Sequence, residues 1–209
     1  MSPRESRRSI PEMRPLVFTW PYAIVFWAIY VWAFVPEFAI VSRARRTVAE
    51  NKSKDAGSLQ LILRATSAAL LLSFPLAFIR STSFSTASLF PMFVTGTALL
   101  VAGSLLRRHC WNKLGEHFTG DVQARADQPV ITSGAYRWVR HPSYSGAMLM
   151  FTGIGVALAN CASLAILVLT SIIAYSYRVK VEEAALLQTV GEPYVLYMKT
   201  RKRFVPFVY

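Results

Sequence analysis

Residues 134–146 read GAYRWVRHPSYSG and lie between two strongly apolar parts of the chain. The run combines arginines, a histidine, aromatic rings and small residues. Such side chains beside apolar blocks are typical of the membrane–water interface. From the residues alone, two interpretations stay open. The run is either a belt of side chains among lipid headgroups or the wall of a ligand pocket at the membrane surface.

The end of this run carries a helix-start signal. A proline disfavours helical backbone in the residue before it and suits the first turn of a helix. We therefore predict a helix that begins at Pro142, with His141 at its N-terminus, where unpaired backbone N–H groups favour anions. The preceding Thr-Ser-Gly of residues 132–134 predicts a turn that leads into Tyr136.

The flanking chain predicts a membrane protein. Of its 209 residues, 54% are hydrophobic and 16% are charged, whereas charged residues make up about a quarter of an average soluble domain. The apolar residues form blocks of nearly membrane-spanning length. We predict an all-α, polytopic integral membrane protein with about five transmembrane helices, at 16–41, 59–79, 89–106, 144–159 and 162–177.

The blocks also predict how the chain is organised. Residues 1–106 hold three spans, and residues 107–209 form a second region. The last two blocks are separated only by Asn160 and Cys161, so they predict a helical hairpin over 144–177 with a tight turn. Gly96 and Gly103 are expected where helices pack closely.

The cations indicate membrane topology rather than nucleic-acid binding. The net charge is +12, and 17 of the 23 lysines and arginines lie in segments 42–58, 107–143 and 178–209. Under the positive-inside rule these segments share the cytosolic face. Arg64, inside the second block, is expected to reach the headgroups, and Glu37 is expected at the far interface of the first block. The two cysteines fit neither a disulfide framework nor a metal site.

Residues 178–209 carry the second candidate motif. Arg178 and Glu182 are four residues apart and therefore share a helix face, with Glu183 beside them. An exposed ion pair of this spacing contributes only about 0.2–0.5 kcal/mol. Gly191 is expected to end this helix. Because the hairpin returns the chain to the same membrane face, this segment and residues 107–143 are expected to meet.

Three stretches together resemble the isoprenylcysteine carboxyl methyltransferase family. They are ITSGAYRWV at 131–139, RHPSY at 140–144 and RVKVEEAALLQTVGEPYVLYMKTRKRFVP at 178–206. The resemblance covers about residues 107–206, and related membrane enzymes methylate phospholipid amines. It implies a multi-span helical enzyme whose catalytic region is 107–209. S-adenosylmethionine would lie in a cytosol-facing pocket, and a lipid or prenylated substrate would enter from the bilayer.

The motif match implies which residues form the site. Arg178 would hold the substrate carboxylate. Gln128 stands where relatives often have histidine. The cofactor contacts would be Gln123, Gln128, Pro129, Val130, Ile131, Tyr136, His141, Pro142, Ser143, Tyr144 and Glu182. The membrane would be the endoplasmic reticulum in a eukaryote or the cytoplasmic membrane in a prokaryote.

The resemblance favours carboxyl O-methylation of an isoprenylated cysteine or a similar lipid-linked carboxylate. A carboxylate is already a nucleophile, so the reaction needs positioning and exclusion of water rather than a strong base. Methylation of a phospholipid amine is the alternative, and it needs a base, for which Glu183 is the candidate. A sterol-reductase-like enzyme ranks low, because such chains have more spans. A catalytically silent membrane scaffold is the alternative outside enzymes.

Overall fold

The computed structural model consists mainly of long helices and describes residues 14–50, 57–115 and 130–205. Two helices, α1 (Tyr22–Glu50) and α2 (Ser58–Leu76), precede the third, α3 (Leu89–Leu114). The described second part contains α4 (Pro142–Ala157), α5 (Cys161–Thr189) and the short α6 (Glu192–Thr200). The described residues contain isolated bridges but no strand, so the predicted all-α fold is confirmed.

Within the described residues, four helices are long and apolar enough to cross a membrane. They are α1, α2, α3 and α5. Helix α4 has 16 residues, which at about 1.5 Å per residue is shorter than a bilayer core of about 30 Å. The protein is a multi-pass integral membrane protein. The predicted fifth span, 144–159, exists as a helix but lies largely inside the helix bundle.

Small residues allow α3 and α4 to pack with their backbones in contact. A Cβ atom added to Gly96 would lie 2.3 Å from the backbone nitrogen of Ala157, and one added to Gly103 would lie 2.5 Å from the carbonyl oxygen of Gly146. These two contacts mark opposite ends of an antiparallel pair. Both glycines therefore have the packing role predicted for them.

The turn between α4 and α5 is fixed by Asn160. Its side-chain oxygen accepts hydrogen bonds from the backbone nitrogens of Ala162 and Ser163, at 3.0 and 3.1 Å, and so caps α5. Its amide nitrogen donates to the carbonyl oxygen of Ile79 at 3.1 Å. The turn is thereby joined to the connection between α2 and α3. This end of the bundle is opposite the one that carries the candidate site.

Helix α5 is longer than the apolar block that predicts it. The hydrophobic pattern weakens after residue 177, but the helix continues to Thr189. Gly191 follows the C-cap residue Val190 with φ of 70°, as its predicted role at the helix end requires. The extension carries Arg178, Glu182 and Glu183 on regular helix, at fixed angles around one axis.

Candidate active site

The N-terminus of α4 forms one side of the candidate site. His141 is the N-cap residue and Pro142 occupies the first turn, as the sequence predicts. The C-terminal segment runs beside it, because the backbone nitrogens of Arg140 and His141 donate to the carbonyl oxygens of Lys202 and Arg203, at 2.8 and 3.0 Å. These hydrogen bonds fix the start of α4 against a segment 62 residues later in the chain.

The side chains of the run 134–146 face in two directions. Arg137 and Trp138 are exposed, and the guanidinium lies over the indole ring at 4.6 Å. Arg140 and His141 point inward instead, and only 5% of His141 is exposed. The first pair fits a headgroup belt, and the second pair belongs to a buried polar cluster.

Glu183 is the centre of that cluster. Its Oε1 atom lies 3.2 Å from His141 Nε2 and 3.1 Å from Arg140 Nη2, and its Oε2 atom accepts from Arg203 at 2.9 Å. Glu183 itself is only 3% exposed. It joins α5, the start of α4 and the C-terminal segment. The sequence identified Glu183 as a neighbour of Glu182 and as the candidate base for an amine acceptor, and nothing local indicates these partners.

Arg178, Glu182 and Tyr144 form the second group of contacts. The Tyr144 hydroxyl donates to Glu182 Oε2 at 2.7 Å and accepts from Arg178 Nε at 3.4 Å. Arg178 Nη1 also donates to the hydroxyl of Ser58 on α2 at 2.5 Å. Arg178 is 3% exposed, while Glu182 is partly exposed. The tyrosine therefore bridges the residue predicted to bind substrate and one predicted to bind cofactor.

A cavity of about 560 Å3 adjoins this group, within the range of about 300–1,000 Å3 that is usual for ligand pockets. It lies between α1, α2, α4 and α5. Most of its lining is apolar, with Phe34, Met150 and Phe151 among the larger side chains. Its polar lining is Glu37, Ser42, Arg64, Thr66, Ser67, Arg107, Ser143 and Arg178, and Tyr30, Tyr144 and Tyr175 also line it. The exposed Arg64 thus borders the cavity, beyond its predicted headgroup role.

Glu37 and Arg107 form an ion pair in the cavity wall. Arg107 donates to Glu37 through both Nε and Nη2, and its Nη1 donates to the Ser143 carbonyl oxygen at 2.9 Å. Arg107 is 7% exposed. The sequence placed Glu37 at an interface and counted Arg107 among the surface cations. Charged residues next to apolar blocks were the only signal, and it does not identify partners 70 residues apart.

Tyr136 lies beside the site, and a side chain of α6 binds its backbone. The Tyr197 hydroxyl donates to the Tyr136 carbonyl oxygen at 2.6 Å. Burial raises the pKa of Tyr136, and Cys110 and Glu182 raise it further. Burial likewise raises the pKa of Tyr197 to about 12. Both hydroxyls therefore stay protonated at neutral pH and can donate hydrogen bonds.

The structure brings together most of the predicted residues that it describes. His141, Tyr144, Arg178 and Glu182 are linked by direct contacts. Ser143 lies between His141 and Tyr144 in sequence and contacts Arg107, and the neighbouring Pro142 is buried. Val130 and Ile131 begin the described segment and are half-buried. The predicted contacts Gln123, Gln128 and Pro129 lie outside the described residues.

Known proteins share both the motifs and the fold. Residues 96–188 match the model of the isoprenylcysteine carboxyl methyltransferase (ICMT) family. The chain is 33% identical to protein-S-isoprenylcysteine O-methyltransferase of Xenopus laevis over 117 residues, 55% of this chain and 41% of the relative. It is 31% identical to the Dictyostelium discoideum protein of the same name over 143 residues, 68% of this chain and 60% of the relative. The chain thus matches about two fifths to three fifths of these relatives' length.

A solved structure shows the same fold over almost the whole chain. The eukaryotic intramembrane Ras methyltransferase ICMT superposes with a TM-score of 0.63 at 20% identity, over 94% of this chain and 69% of the other. The matched sequence region contains α4, most of α3 and nearly all of α5, and with them Arg178 and Glu182. Residues 96–188 of this chain are therefore similar in sequence to the isoprenylcysteine carboxyl methyltransferase family, and the chain shares the fold of the solved ICMT structure.

Proposed function

We propose that this protein is an S-adenosylmethionine-dependent methyltransferase that transfers a methyl group to the carboxylate of an isoprenylated cysteine or a similar lipid-linked acid. The observation that carries the proposal is Arg178, a buried guanidinium in the wall of a mostly apolar cavity. An arginine in such a place suits an acceptor that combines a carboxylate with a hydrocarbon chain. The names of the relatives support the same acceptor.

The residues around Glu182 fit the cofactor. S-adenosylmethionine carries an ammonium, a carboxylate, ribose hydroxyls and adenine, so it needs acceptors and donors together. Glu182 is a partly exposed acceptor. Within the described residues, the buried Tyr194 hydroxyl and Arg140 Nε have no hydrogen-bond partner, and Tyr194 lies close enough to Glu182 and Glu183 for their charges to raise its pKa beyond the effect of burial. Buried polar atoms without partners are costly, and a polar ligand would satisfy them.

We assign the cofactor to the residues predicted from the motifs. Tyr136, His141, Pro142, Ser143, Tyr144 and Glu182 would hold it, together with Gln123, Gln128, Pro129, Val130 and Ile131. When bound, the cofactor supplies a methyl group that is already activated by its sulfonium. The protein's own contribution is orientation of the acceptor by Arg178 and exclusion of water by the apolar lining of the cavity.

The contacts of Glu183 favour a carboxylate acceptor over a phospholipid amine. An amine must lose its proton before it attacks, and Glu183 was the candidate base. Its oxygens already contact His141, Arg140 and Arg203, and Glu183 is absent from the lining of the cavity. A carboxylate acceptor needs no such base.

The Arg178→Gln variant tests the proposal. We expect transfer of labelled methyl groups to a farnesylcysteine analogue to fall about 10- to 100-fold or more, the value of a charge-assisted hydrogen bond to a carboxylate. Binding of S-adenosylmethionine, measured by calorimetry, should change little. Lys180→Gln is the matched control, because it removes one charge from an exposed position of the same helix.

Three outcomes would contradict the proposal. Undiminished transfer by Arg178→Gln would show that another group holds the acceptor. Methyl transfer to phosphatidylethanolamine, with none to the prenylcysteine, would identify the amine reaction instead. A protein that binds no S-adenosylmethionine would be a scaffold. We place the site on the cytosolic face because 17 of the 23 cations belong to the segments at this end.

A further inference from the structure

Two buried guanidinium groups lie in the wall of the cavity, and the contacts of one of them engage all of its nitrogens. Arg107 and Arg178 both line it. Arg107 presents its Nε and Nη2 atoms to the two oxygens of Glu37, in the side-on geometry that arginine uses for any carboxylate. Its remaining nitrogen, Nη1, lies 2.9 Å from the Ser143 carbonyl oxygen and 3.3 Å from the Ser143 hydroxyl. Every nitrogen of Arg107 is therefore engaged.

Glu37 occupies the position that an acceptor carboxylate would take on Arg107. The group at the end of the Glu37 side chain is chemically the same as the group to be methylated. Both residues of the pair are largely buried, with 8% and 18% of the Arg107 and Glu37 side chains exposed. An ion pair in such surroundings is screened less by salt and water than one on the surface. An acceptor would have to displace an intramolecular carboxylate to reach Arg107.

We propose that Glu37 is a specificity-determining residue, which covers the forked edge of Arg107 and thereby leaves lipid carboxylates to Arg178. The inference rests on the proposed function, in which Arg178 orients the acceptor. Glu37 lies on α1, outside the region 96–188 that matches the family. The first helix therefore contributes to acceptor selection in a way that the family motifs do not specify.

Loss of the Glu37 charge has a distinctive consequence. In a Glu37→Gln variant the Arg107 fork would be open to the cavity, and a lipid carboxylate could bind there. Such binding would be tighter and unproductive, because a carboxylate held by Arg107 is not the one oriented by Arg178. The variant should combine tighter binding of lipid acids with slower methyl transfer. A merely structural role for Glu37 would weaken both.

Binding of labelled palmitate to the purified full-length protein in nanodiscs tests the inference, with hexadecanol as the matched uncharged probe. For Glu37→Gln we expect the Kd of palmitate to fall about tenfold, the effect of one added charge-assisted contact, and the Kd of hexadecanol to stay unchanged. Methyl transfer to farnesylcysteine should fall in the same variant. In the double variant Glu37→Gln/Arg107→Gln, palmitate should bind as it does to the unchanged protein.

The double variant keeps the test decisive if the single variant does not fold. It leaves no unpaired buried charge, because the two glutamines are neutral and can hydrogen-bond to each other. A double variant that binds palmitate about tenfold more weakly would show that acceptors use Arg107 directly, and would overturn the inference. Equal gains for palmitate and hexadecanol, or no gain for palmitate, would also overturn it. The Kd values of palmitate and hexadecanol are measured without any methyl transfer. Failure of the proposed function would appear separately, as absent transfer by the unchanged protein.

Discussion

At the scale of single residues, the partner of each buried charge indicates its role. Arg107 binds Glu37, and the cations around His141 bind Glu183, so these groups hold the protein together around the cavity. Arg178 donates to the hydroxyls of Tyr144 and Ser58 and lines the cavity. These hydroxyl groups orient its guanidinium in the cavity wall. These contacts are compatible with a role in binding an anionic acceptor.

Ser58 is expected to position Arg178. It is fully buried, and its hydroxyl lies 2.5 Å from Arg178 Nη1. In Ser58→Ala we expect the KM for a farnesylcysteine analogue to rise about fivefold to tenfold, the effect of one hydrogen bond to a charged group, while kcat falls less. Ser73→Ala is the control, because Ser73 is equally buried in α2 but bonds only to its own helix through its hydroxyl. An equal change in KM for both variants would mean that α2 packing, and not Arg178, is affected.

At the scale of helices, the sequence predicted those features that one or two neighbouring residues determine. The start of α4 at Pro142, the N-terminal place of His141 and the close-packed Gly96 and Gly103 all follow from the geometry of one or two residues. The pairing of Glu37 with Arg107 does not, because it depends on how α1 and α3 are rotated about their axes. For the same reason the sequence did not predict the three partners of Glu183, which are Arg140, His141 and, from the C-terminal segment, Arg203.

The α3–α4 contact gives a prediction at this scale. In Gly103→Ala the new methyl group would meet the Gly146 carbonyl oxygen at 2.5 Å, and backbone cannot move aside as a side chain can. We expect a loss of about 1–3 kcal/mol in stability, measured as a lower Tm in detergent by tryptophan fluorescence. Ala102→Val, on the neighbouring exposed position, should leave Tm nearly unchanged. A Gly103→Ala protein with unchanged Tm would contradict the backbone contact.

At the scale of the whole molecule, the two ends of the bundle have different compositions. One end carries Arg107, His141, Arg178 and the C-terminal segment around the cavity. The other end includes the α2–α3 connection and the α4–α5 turn, joined by hydrogen bonds of Asn160 and by the backbone bond from Phe84 to Ala159. Within these two connections, Arg80 is the one charged side chain. The asymmetry is the one that the positive-inside rule predicts for a site that faces the cytosol.

The two cysteines make this orientation testable. Cys161 is exposed at the start of α5, at the end opposite the site, whereas Cys110 is fully buried in α3. With the site on the cytosolic face, a membrane-impermeant maleimide should label Cys161 in intact cells from outside, or in sealed microsomes only after the lumen is opened. Cys161→Ser should remove the label, and Cys110 should react only after denaturation. Labelling of Cys161 from the cytosolic side would reverse the orientation, and the site would then face away from any cytosolic supply of methyl donor and prenylated acceptor.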